Sequence, residues 1–123
     1  MSKLSHSTNV QTIYQHFRFR CGRKWGVPVE WIAGTTVLKA LVEATVNPHG
    51  VLSFDVQYSQ RGAFVTEVDE EANVAGDWYW MYRVNGEIAT VGCDQRMLQP
   101  FDIVQWEQVR FDPRLANPEN TKP

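Results

Sequence analysis

One segment of this chain carries a helical period, and that singularity constrains the fold more than any other feature. Val37, Leu38, Leu41 and Val42 fall at i, i+1, i+4 and i+5, an apolar stripe on a helix expected to run to about Thr45. Gly34-Thr35-Thr36 precede it. Either threonine can accept from the first free amides as N-cap, although Lys39 is not the Glu or Gln of a full capping box. Asn47-Pro48-His49-Gly50 ends the segment. The other periodic stretches alternate every second residue, so the chain must form a sheet with a single helix to cover it.

From Gln15, the alternation predicts a strand with Phe17, Phe19 and Cys21 on one face and His16, Arg18 and Arg20 on the other. Gly22 opens a turn, and Trp25 to Trp31 reads as its hairpin partner, with Pro28 marking it as an edge strand. Beyond the helix, Leu52 to Tyr58 places Leu52, Phe54, Val56 and Tyr58 on one face. A turn at Ser59 to Gly62, a strand at Ala63 to Val68 and an acidic loop from Glu67 to Ala75 follow. Trp78 to Val84 and Glu87 to Val91 flank Asn85-Gly86, the dipeptide that best tolerates positive φ in a type I′ turn. Phe101 to Phe111 reads as the last strand. Residues 1–14 are expected to be a flexible N-terminal segment, residues 15–111 a single domain and residues 112–123 a loose tail. One helix packed across a mixed sheet is the β-grasp (ubiquitin-like) arrangement, of the α+β class, and it leaves the opposite sheet face free.

Charge and composition exclude several functions. With 12 Lys+Arg against 14 Asp+Glu among 123 residues, a formal charge of -2 gives no global field to gather phosphates, so no nucleic-acid partner is expected and any anion site must be local. No run approaches the roughly 18–20 apolar residues of a membrane span, and the start, Met1 to Asn9, is polar without the apolar stretch of a signal peptide. The chain therefore reads as soluble, cytoplasmic as it stands and exported if a leader has been removed, with its oligomeric state open. The 5 Trp, 4 Tyr and 6 Phe are more telling: rings alternating along strands must point to both sheet faces, and only one face is covered by helix.

In the run Trp78-Tyr79-Trp80-Met81-Tyr82, one alternating set must be core. The Trp78, Trp80, Tyr82 set, continued by Val84, is expected to pack on the helix, which leaves Tyr79, Met81 and Arg83 as an exposed patch suited to a flat conjugated ligand, a sugar ring or a protein partner. Arg18, Arg20, Arg23 and Lys24 crowd the first hairpin; they could grip a phosphate or carboxylate, but the reading expected is a charged edge that blocks strand addition. Glu67, Asp69, Glu70, Glu71 and Asp77 match no EF-hand spacing, so a solvated acidic loop is expected and no metal site. Cys21 and Cys93 form no Cys-x-x-Cys, although a disulfide between them is open if the protein is exported. His6, His16 and His49 lie apart, and no Gly-x-Ser-x-Gly occurs, so no catalytic residues are singled out.

Thr35 to Val109 resembles the transcobalamin-like C-terminal domain, the β-grasp module of vitamin B12 carriers such as intrinsic factor, which also occurs alone in bacterial proteins. The resemblance rests on Thr35-Thr36-Val37-Leu38 with Leu41, on Gly62 with Phe64-Val65-Thr66 and Val68, on Tyr79-Trp80 leading to Asn85-Gly86, and on Pro100-Phe101-Asp102. It implies a cobalamin-like corrinoid ligand faced by Arg61, Gly62, Phe64, Tyr82 and Ala89. Arg61 stands where the carriers have a tryptophan, and their large helical domain has no counterpart within these residues.

The function expected is therefore noncatalytic binding of a small or extended ligand, a corrinoid or a carbohydrate, rather than enzymatic turnover. The alternative is a protein-interaction module docking through the same rings. Two other β-grasp roles fail on residues alone. A sulfur carrier needs a free Gly-Gly terminus, whereas this chain ends Asn120-Thr121-Lys122-Pro123, and a [2Fe-2S] cluster needs four thiolates where 2 Cys exist.

Overall fold

The computed structural model describes residues 10–48, 50–51 and 53–110. Alternation sets the first strand, β1 (Thr12–Arg18): Ile13, Gln15 and Phe17 are buried, and Tyr14, His16 and Arg18 face solvent. The strand starts three residues before Gln15, inside the stretch expected to be flexible, because Ile13 is fully buried. The early turn of the pattern is hidden in the sequence by Gln15, a polar residue on the core face. Its Nε2 donates to the carbonyl of Ala40 at 2.8 Å, which ties β1 to the helix. Phe19 continues the buried set, but the chain turns at Gly22 and leaves Cys21 exposed, not on the core face.

Strand β2 (Lys24–Glu30) returns antiparallel to β1 along the sheet edge, with Pro28 facing solvent. The helix α1 (Val37–Val46) follows, and its Thr36 cap accepts from the Lys39 amide at 3.1 Å. Its buried stripe is Val37, Ala40, Leu41 and Ala44, spaced i, i+3, i+4, i+7. Of the residues expected to be buried, Leu41 is inside, Leu38 is half-buried and Val42 is 43% exposed. At about 100° per residue, Val42 lies a quarter-turn off the stripe that two small alanines allow to sit close on the sheet.

The remaining strands divide into two sheets rather than one. β3 (Phe54–Ser59), β4 (Gly62–Val68) and β5 (Glu71–Ala72) form an antiparallel three-stranded sheet, and β5 lies inside the stretch expected to be a loop. Asp69 and Glu70, at φ 50 and 70, make its tight turn. Leu52 lies outside the described residues; Phe54 and Val56 pack on the core, while Tyr58 is exposed beyond it. β6 (Trp78–Val84), β7 (Glu87–Ile88) and β8 (Ile103–Arg110) join the first hairpin in a five-stranded mixed sheet of order β2-β1-β8-β6-β7. β8 is central, parallel to β1 and antiparallel to β6. It starts at Ile103 because Phe101 takes a turn conformation at φ 70; Phe111 lies outside the described residues.

The class is thus α+β, a mixed sheet with one helix. Phe17, Phe19, Trp80, Tyr82 and Trp106 fill the inner side, with Phe19 edge-on to Trp80 at 5.3 Å between centroids. The Trp78 set is therefore the core set: Trp80, Tyr82 and Val84 are buried and Trp78 half-buried. The outer face is mainly polar, carrying Tyr14, His16, Arg18, Gln105 and Glu107. Among the described residues, no helix is long and apolar enough to cross a membrane.

Candidate functional site

Asn85 and Gly86, at φ 51 and 87, form the expected two-residue hairpin tip between β6 and β7. Asn85 also fixes the hairpin to the start of β8: its Oδ1 accepts from the Ile103 amide at 2.9 Å, and its Nδ2 donates to Asp102 Oδ1 at 2.9 Å. β7 stops at Ile88 rather than reaching Val91. The chain leaves the ladder there to fasten onto β4, with the Gly92 amide donating to the Arg61 carbonyl at 3.1 Å and the Cys93 amide to the Ala63 carbonyl at 2.9 Å.

The short β7 pairs only with Arg83 and Val84, so the rest of the β6 edge has no full strand beside it. The Trp80 amide on that edge donates instead to the side chain of Asn73 at 2.9 Å. A cleft of about 510 Å³ opens between this edge, the start of β4 and the segment after β7. Because it straddles a strand edge, the cleft reaches both faces of β6. It brings together Arg61, Phe64, Tyr82 and Ala89 with Tyr79 and Met81 of the other expected patch.

Gly62 and Arg83 do not line it. The open backbone side of Gly62, at φ 111, is occupied by this chain itself: a Cβ there would meet Asp94 Oδ1 at 2.6 Å and Gly92 Cα at 3.1 Å. Arg83 is turned to Glu107, Nε to Oε1 3.6 Å. Tyr79 and Met81 are half-buried rather than freely exposed. Tyr82 is 6% exposed and serves as cleft floor, its hydroxyl donating to the Val91 carbonyl at 2.7 Å. Burial, with the Cys93 thiol and Asp94 nearby, pushes Tyr82 up to about 12. Burial and Asp94 push Cys93 up to about 11, so both floor groups stay protonated at neutral pH and neither is a ready nucleophile.

Sequence reasoning missed Ile88, Thr90, Val91 and Cys93, which also line the cleft. Ile88 ends a strand that stops early and the other three follow it, and only the meeting of Gly62 with Gly92 explains where the chain goes next. The other sequence candidates are dispersed. Arg20 lies 4.0 Å from Glu71, Arg23 lies 3.7 Å from Asp69, and Arg110 pairs with Asp77 at 2.6 Å, so three of the five acidic residues serve as ion-pair partners. Cys21 and Cys93 are free thiols. His6 and His49 lie outside the described residues, among which no group of three metal-binding side chains occurs.

A family model, DUF4430, described as a domain of unknown function, matches residues 34–110, more than half of the chain. The chain belongs to this family. The DUF4430 match holds the helix, the cleft and all strands except the first hairpin. None of the curated proteins matches the chain. Among solved structures, the chain is similar to haptocorrin in complex with Cbi, with a TM-score of 0.70 at 15% identity. That likeness covers 85% of this chain and 27% of haptocorrin. The chain is also similar to a protein of Ruminococcus gnavus ATCC 29149 described as a candidate metal-binding protein, with a TM-score of 0.63 at 17% identity, covering 83% of this chain and 99% of that one. At these identities the likeness is one of fold.

Proposed function

We propose that this DUF4430 domain is a noncatalytic ligand-binding module of transcobalamin-like, β-grasp descent, whose cleft takes a flat, largely apolar ligand of the corrinoid class. The observation that carries this reading is the cleft itself: it gathers Arg61, Phe64, Tyr82 and Ala89, four of the five positions that the resemblance to vitamin B12 carriers implies, beside Tyr79 and Met81. Its volume of about 510 Å³ lies within the range of roughly 300–1,000 Å³ common for small-molecule sites. Apolar walls from Phe64, Met81, Ala89 and Trp106 suit a conjugated ring, and Arg61 offers a fixed planar cation for a peripheral carboxylate or phosphate. The haptocorrin neighbour supports the class, and the strand order with its parallel β1–β8 pair supports the β-grasp descent.

The test is tryptophan fluorescence of the intact chain titrated with cyanocobalamin, cobinamide, hemin and simple sugars. Saturable quenching by the corrinoids is expected, because Trp80 and Trp106 both line the cleft. Saturation by sugars alone would move the ligand to a carbohydrate. A second reading, a protein partner seated on the same cleft, draws on its apolar rim, where Phe64 is 42% and Ile88 58% exposed. It predicts a change of mass on adding the partner, with no response to any small molecule.

A further inference from the structure

The first hairpin carries a feature that the cleft does not use. Of its four crowded bases, Arg20 and Arg23 are placed near Glu71 and Asp69, and Arg23 also stacks over Phe19 at 3.9 Å. Arg18 and Lys24 are not. They are direct cross-strand partners on the outer sheet face, and neither has an ion-pair partner among the described residues. Like charges opposite one another on a sheet destabilise it, so the pair needs another reason to stand. The neighbouring acid in the register, Glu107, does not relieve it. That carboxylate pairs with Arg83 instead.

A groove of about 420 Å³ lies over these residues, bounded by Arg18, Lys24, His16, Gln105 and Glu107. Gly26, the partner of His16 across β1 and β2, forms part of it. This glycine is not needed by the backbone, since its φ is not in the left-handed region, and a Cβ there would meet only ordinary contacts, the nearest being His16 Nδ1 at 3.7 Å. Glycine inside a strand weakens it and commonly marks a place where another molecule comes close to the backbone.

We propose that this outer-face groove is a second binding site, for a dianionic phosphate group. Two uncompensated cations on adjacent strands match the charge of a phosphate near pH 7.5 better than that of a single carboxylate. Gln105 adds an amide donor and His16 an imidazole, and the missing side chain at Gly26 leaves room for the oxygens above the sheet. The site is local, consistent with a chain whose overall charge is negative. It does not depend on what occupies the cleft.

The test is an NMR titration of the intact, 15N-labelled chain at pH 7.5 and fixed ionic strength, with inorganic phosphate, glycerol phosphate, acetate and chloride. Saturable shifts at His16, Gly26 and Gln105 are expected with phosphate, and not with acetate or chloride. Arg18→Gln combined with Lys24→Gln should weaken phosphate binding about tenfold or more. Gly26→Val, which fills the groove while keeping both charges, should weaken it comparably, and Arg20→Gln should leave it unchanged. Retained amide dispersion checks that each variant folds; should Gly26→Val not fold, Gly26→Ala takes its place with a smaller loss expected. Saturation by inorganic phosphate alone assigns the free ion, and comparable saturation by glycerol phosphate assigns a phosphate ester. Shifts that chloride reproduces, or wild-type affinity in the folded glycine variant, would overturn the proposal by showing diffuse attraction to a basic edge.

Discussion

The hydroxyl of Tyr82 donates to the backbone carbonyl of Val91 at 2.7 Å, which fastens the far wall of the cleft to the core strand that forms its floor. A phenol at this position thus has a structural task that an aromatic ring alone does not meet. Tyr82→Phe should destabilise the fold by about 1 kcal/mol, the net worth of one hydrogen bond. Chemical denaturation measures this, and an unchanged midpoint would show that Val91 is held by something else.

Alkaline pH should loosen the same region. Cys93 and Tyr82 are raised by burial from 9.0 to about 11 and from 10.0 to about 12, so the unfolded chain loses these protons before the folded one does. Stability from these groups is complete below pH 9 and falls as pH rises through 9 to 12. Denaturation midpoints taken across that range should decline, and Cys93→Ala should delay the onset toward pH 10. A variant that declines in parallel with the parent would remove Cys93 from the explanation.

Gly92 meets the start of β4 backbone to backbone. A Cβ on it would lie 2.5 Å from the Ala63 nitrogen and 2.8 Å from Gly62 Cα, and neither can move aside as a side chain would. Gly92→Ala should therefore cost about 1–3 kcal/mol through overpacking and shift the cleft wall. Thermal melting reads the loss; a neutral substitution would mean that the two segments separate readily.

Leu41 is fully buried where Val42 is 43% exposed. Leu41→Ala should destabilise by about 2–5 kcal/mol, and Val42→Ala by less than about 1 kcal/mol. Equal losses from the two would contradict the stripe through Val37, Ala40, Leu41 and Ala44.

Much of the fold was legible because short periods report burial directly. The helix at Val37, the buried set Trp80-Tyr82-Val84, the edge strand marked by Pro28 and the Asn85-Gly86 tip all follow from local spacing or turn chemistry. What stayed hidden depends on partners far along the chain. Gln15 reads as the polar start of its strand, with no reason to be buried, until the Ala40 carbonyl beside it is known. The acidic stretch reads as solvated until Asp69 and Glu71 are placed near Arg23 and Arg20. Arg61, Phe64, Tyr82 and Ala89, which line the cleft, come from the family resemblance and not from local spacing. Gly62 does not line the cleft, and a glycine open to close approach does not say what approaches it. Here it is Gly92 of the same chain.

The most direct test of the cleft as ligand site is a cyanocobalamin titration, read by tryptophan fluorescence, of the intact chain and of its Arg61→Ala, Phe64→Ala double variant. Both residues lie at the cleft and Arg61 is solvent-exposed, so the double variant should keep its fold. The predicted result is saturable quenching in the parent that weakens by at least about tenfold, or about 1.4 kcal/mol, in the variant. Quenching that survives the double change but disappears on replacing Arg18 and Arg20 would contradict the account and move the site to the first hairpin.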